Sequence, residues 1–78
     1  MVVEIITPEQ KLYSGEVKLL HLPGSGGSFG MLNHHAPIIS ALDAGTVRVV
    51  EKDGKEHTFQ IKGGILESSN NKAIVLAE

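Results

Sequence analysis

The sequence predicts an all-β protein. Nine glycines and three prolines cut its 78 residues into short apolar runs, and no stretch of about 11 residues or more sustains a helical repeat. The hydrophobic fraction is 41% with only three large aromatic residues, so burial falls to Val, Ile and Leu, which suit a pleated surface. A chain of this length makes one domain, spanning residues 1–78, with a thin core. Without cysteine, no disulfide framework or thiolate metal site reinforces that core.

The runs that read as strands are 2–6, 11–13, 16–22, 28–32, 37–40, 46–51, 55–62, 64–67 and 73–77. The first opens the chain with Val-Val-Glu-Ile-Ile, which is neither a charged leader nor an apolar signal core. Run 16–22 carries Val17 and Leu19 on one face and Leu20 and Leu22 on the other. A strand of an antiparallel two-layer protein turns one face to water, so this pattern predicts a cover for its outer face, either a loop of the same chain or a partner. The same two readings hold for Ile38, Ile39 and Leu42. Residues 36–44 could instead form one helical turn, too short to stand alone.

Around Asp53-Gly54 a two-residue loop would split the apolar residues of the flanking strands between faces. A three-residue loop of Lys52, Asp53 and Gly54, with Gly54 in the left-handed conformation, pairs Val49 with His57 and Val47 with Phe59. It also sets Glu51 opposite Lys55 as a favourable charge pair.

Chemistry is sparse. His34 and His35 are adjacent and would point to opposite faces of a strand, and His21 and His57 lie on separate runs, so no metal site is expected. The loop 24–30 is glycine-rich like a phosphate cradle, but strands follow it where a cradle needs a helix, and it reads as a tight turn. No nucleophile stands beside a plausible base, so neither catalysis nor a cofactor is expected. A net charge of −2 and scattered Lys and Arg give no field for nucleic acid, and no apolar run approaches the roughly 20 residues that span a bilayer.

One long segment is more specific. Ser28-Phe29-Gly30-Met31-Leu32-Asn33-His34-His35-Ala36-Pro37-Ile38-Ile39-Ser40-Ala41-Leu42-Asp43-Ala44-Gly45, followed by Gly63-Gly64-Ile65-Leu66-Glu67 and a last run ending Leu76-Ala77-Glu78, resembles the sandwich domain of the ε subunit of F-type ATP synthases, called δ in mitochondria. Ile5-Ile6-Thr7-Pro8-Glu9-Gln10 and Tyr13-Ser14-Gly15-Glu16-Val17 resemble that family's first strands, so the likeness covers essentially the whole chain. It implies a flattened sandwich of two antiparallel sheets, of about ten short strands, in a non-catalytic subunit of the rotor's central stalk. The implied partners are the γ subunit and the c-subunit ring, with the catalytic head reached indirectly, at the cytoplasmic face of the bacterial inner membrane. Carried over by position, Ser28, Met31, Leu32, Asn33 and His34 would face the ring, and Thr7, His35, Ser40 and Leu42 would face γ.

Two departures bear on this. His34 stands where the family has glycine, so a turn needing positive φ would have to adjust. Most family members continue past the equivalent of Glu78 into a helical hairpin that restrains rotation, so no inhibition by such a tail and no ATP binding are expected of these residues. The rival reading is a lipoyl- or biotinyl-type carrier domain modified at Lys72, since Asn70-Asn71-Lys72-Ala73 resembles a carrier's lysine hairpin.

Overall fold

The computed structural model describes residues 1–34 and 36–78. Eight strands run in chain order: β1 Val2–Ile6, β2 Lys11–Leu22, β3 Phe29–Leu32, β4 Ile38–Leu42, β5 Gly45–Glu51, β6 Glu56–Ile61, β7 Gly64–Ser69 and β8 Lys72–Ala77. The first sheet has the order β4-β7-β8-β1-β2, and the far half of β2 continues into a second sheet with β3 on one side and β5 then β6 on the other. The all-β sandwich expected from the sequence is therefore present, with refinements. Runs 11–13 and 16–22 are one twelve-residue strand that belongs to both sheets. The pair β1–β8 is parallel, the others antiparallel. Residues 38–42 extend as β4 and form no helical turn.

The two-faced apolar strand resolves into a bulge. Val17 lies opposite Glu51 and Leu19 opposite Val50, so Lys18 is an extra residue that reverses the alternation. Val17, Leu20 and Leu22 consequently all point inward and are fully buried, and this strand asks for no external cover. They meet Val3, Ile5, Leu66, Ala73 and Val75 of the first sheet, with Met31, Val47, Val49 and Ile61 completing the core.

Both tight hairpins follow from local chemistry. The β5–β6 loop has the three-residue form, with Gly54 at φ 93°, its N–H donating to the Glu51 carbonyl at 2.9 Å, and the expected pairs Val49 with His57 and Val47 with Phe59. The β7–β8 turn is the two-residue Asn70-Asn71, at φ 51° and 57°. That left-handed pair is the primed turn whose twist suits a hairpin, and Asn tolerates it better than most residues.

Candidate functional site

One polar cluster joins three strands. The Tyr13 hydroxyl of β2 donates to Glu51 Oε2 of β5 at 2.9 Å, and His57 Nε2 of β6 lies 2.9 Å from the same oxygen. The Tyr13 ring leans on His57 and Phe59 with centroids 5.3 and 5.8 Å away. The Glu51 carboxylate thus engages Tyr13 and His57, and not Lys55 as the cross-strand register alone suggests; Lys55 instead donates its backbone N–H to Asp53 Oδ1 at 2.9 Å. This cluster braces the fold. Burial, then the hydrogen bond to Glu51, pushes the Tyr13 phenol up to about 12 from 10.0. A raised folded pKa stabilises the fold below the unfolded value and is lost as pH climbs through the folded one. Wild type should therefore lose stability between about pH 10 and 12 more steeply than Tyr13→Phe, as measured by urea unfolding at a series of alkaline pH values.

The positions tied by resemblance to the ring divide. Ser28 precedes β3 and Asn33 follows it, so they stand at opposite ends of that strand. Ser28, Asn33 and His34 are exposed, and Leu32 is 65% exposed. Met31 is a correction: it alternates inward between Leu32 and Gly30, pairs with Leu20 and is 5% exposed, so it serves chiefly the core. The Asn33 side-chain oxygen accepts from the Met1 α-ammonium, which also donates to the Val17 carbonyl at 2.9 Å.

His34 keeps the turn that a glycine would make. Its φ is 59°, and its N–H donates to Asn71 Oδ1 at 2.7 Å, tying the turn to the β7–β8 hairpin. The backbone does not adjust; the histidine bears the strain of a left-handed conformation. His34→Gly should therefore raise stability by about 1 kcal/mol in a urea titration, less the entropy a glycine loses on folding.

The positions tied to γ divide as well. Leu42 is the second correction: at 5% exposure it packs in the core, because residues of one parity in β4 face the opposite sheet. Ser40 shares that parity, is half-buried, and donates to the Ala41 carbonyl at 3.3 Å. Thr7 closes the β1–β2 turn, its Oγ1 bonded to the Gln10 carbonyl at 3.1 Å and to the Gln10 N–H at 3.2 Å. That turn lies three strands from β4, roughly 14 Å across the sheet. His35 lies outside the described residues.

What the positional carry-over missed is the other parity. Ile39 is 76% exposed, and with exposed Ala41, Ile65 at 47% and Leu76 at 44% it forms an apolar outer face on the first sheet. Cross-strand pairing joins Ala41, Ile65, Leu76 and Ile6 in one row and Ile39, Glu67, Ile74 and Glu4 in the next. Glu4 accepts from Lys11 Nζ at 2.9 Å and lies 3.6 Å from Lys72 Nζ, and the Lys11 contact above all holds its carboxyl below the usual value. Alternation within 64–67 and 73–77 is the signal that could have found this face, once one inward residue was known.

The fold thus combines a two-layer scaffold, an apolar flank and exposed polar turns. The description "ATP synthase, Delta/Epsilon chain, beta-sandwich domain" matches residues 1–78. The chain belongs to this family. The ATP synthase epsilon chain of Chlorobaculum tepidum is 46% identical to it over 76 residues, covering 97% of this chain and 86% of that one. That of Alkalilimnicola ehrlichii is 41% identical, and this chain spans 54% of its length. Among solved structures, the Euglena gracilis mitochondrial ATP synthase superposes with a TM-score of 0.92 at 16% identity over 99% of this chain, which covers 49% of the matched chain. The central stalk and c ring of the Tetrahymena thermophila mitochondrial enzyme gives 0.80 at 15% identity, over 97% of this chain and 61% of that one. At these identities the structures speak for the fold.

Membership makes the chain a structural subunit of an ATP synthase and not a catalytic one. The carrier-domain alternative has no support: Lys72 opens β8 beyond the turn, its ammonium facing Glu4, where a carrier lysine would crown a hairpin. Among the described residues no three side chains of metal-ligating type converge.

Proposed function

We propose that the chain is a non-catalytic central-stalk subunit of a proton- or sodium-translocating F-type ATP synthase, coupling the c-subunit ring to the γ shaft. Its position would be peripheral, at the cytoplasmic face of the bacterial inner membrane. The observation that carries this reading is the 46% identity across 86% of the Chlorobaculum tepidum epsilon chain. The form suits the task, since torque must cross from ring to shaft through a body that does not shear. A long strand common to both sheets and the Tyr13–Glu51–His57 brace resist such shear.

In this reading the outer face of the first sheet meets γ through exposed Ile39 and Ala41, while Leu42 on the other parity serves the core. Ser28, Leu32, Asn33 and His34 supply polar and apolar contacts to the ring. The test is to add the chain to an ATP synthase depleted of its corresponding subunit and to follow hydrolysis and ion pumping together. Restored coupling is expected. Hydrolysis that stays uncoupled, with no chain bound to the complex, would remove the stalk reading.

A further inference from the structure

The outer face of the first sheet is apolar at its centre except for one carboxylate. Glu67 stands in the row between Ile39 and Ile74, two residues from Ile65, all on the same face. Its counterpart at the far end of that row, Glu4, is neutralised by Lys11 and Lys72. The Glu67 carboxylate makes no ion pair or hydrogen bond among the described residues. In water such a group is satisfied by its hydration. Beneath an apolar partner it would be left charged, dry and unpaired, which is among the costliest arrangements an interface can contain. Beside it lies an open depression of about 780 Å³ whose lining includes Ile39, Glu67, Ser69, Lys72 and Ile74. This holds ample room for a long side chain from outside.

We propose that the γ surface covering this face inserts one basic side chain, Arg or Lys, into that depression to pair with Glu67. The inference rests on the stalk reading above and adds the charge that the partner must carry. Apolar contact through Ile39, Ile65 and Leu76 supplies area without direction. A buried pair at Glu67 fixes the register of the two subunits, because a sliding displacement strands both charges at once. Lys72 also lines the depression, but its ammonium lies against Glu4, and the partner's cation enters on the Glu67 side.

The experiment measures calorimetric affinity of the whole chain for γ, with thermal melts beside it. Glu67→Gln should weaken binding about tenfold and Glu67→Lys about a hundredfold or more, both with unchanged melting, since the side chain is exposed in the free chain. Changing γ's Arg and Lys residues singly to Glu should yield one variant that restores binding to Glu67→Lys. Ile39→Asp provides the control for the face itself. If Ile39→Asp loses binding while Glu67→Lys keeps it, the face docks without a facing cation and the proposal is overturned. It is equally overturned if Lys72→Ala reproduces the loss seen with Glu67→Gln, because the chain's own lysine then serves Glu67. A wild-type homodimer dissolved by Ile39→Asp would hand the face to a second copy. Failure of the wild-type chain to bind γ at all, with every variant equally silent, would defeat the stalk reading and not the charge assignment alone.

Discussion

Gly64→Ala is expected to remove about half of the stability of this protein. Gly64 begins β7 at φ 153°, and a methyl group built on its Cα would stand 2.2 Å from the Leu76 carbonyl oxygen and 3.1 Å from the Ala77 Cα. Both obstacles are backbone of β8, which is hydrogen-bonded to β7 on one side and to β1 on the other. A flexible side chain could swing away, but β8 can retreat only by breaking ladders. Overpacking in a rigid region costs about 1–3 kcal/mol, and a side chain held at an unfavourable φ adds about 1–3 more. A domain of this size has in total about 4–12 kcal/mol. The urea midpoint of Gly64→Ala should fall steeply, or the protein should fail to fold. Gly26→Ala is the contrast, since a methyl group there meets nothing within 4 Å, and its midpoint should lie within about 0.5 kcal/mol of wild type. A Gly64→Ala protein of normal stability would show that β8 can move away from this contact.

Leu42→Asp should be just as damaging, and its effect separates core from interface. Leu42 is 5% exposed, packed in the central cluster, and bridged through its backbone to Gly24. Truncation of a buried leucine to alanine costs about 2–5 kcal/mol. Aspartate adds the burial of a charge with no partner, so the expected outcome is an unfolded chain by circular dichroism. Ile39→Asp, on the same strand but 76% exposed, should melt like wild type. The two variants therefore lose γ for different reasons, one through the fold and one through the contact surface. If Leu42→Asp stays folded and only its binding to γ fails, then the side chain faces outward and the parity of β4 is the reverse of that described.

The same parity explains how much could be read in advance. Strand content, the three-residue β5–β6 loop and its register were legible because each is local: glycine position and the alternation of Val47, Val49, His57 and Phe59 leave one register that keeps apolar residues together. The bulge at Lys18 was not, because an extra residue leaves no mark in composition and shows only as an apparent excess of apolar residues on two faces. Position in a familiar segment points Met31 and Leu42 outward, although a segment can carry a partner site on one parity and the core on the other, and both are 5% exposed.

The sequence by itself determined the class of structure, the sites of its turns and the family to which the chain belongs, since these rest on residue types at fixed spacings along one chain. Only the tertiary structure decided which alternate residues face the core. Alternation has a period of two and no sign, and the sign is set by whichever sheet comes to lie across the layer. That choice buries Leu42 and Met31, exposes Ile39, Ile65 and Leu76, and leaves Glu67 alone among them.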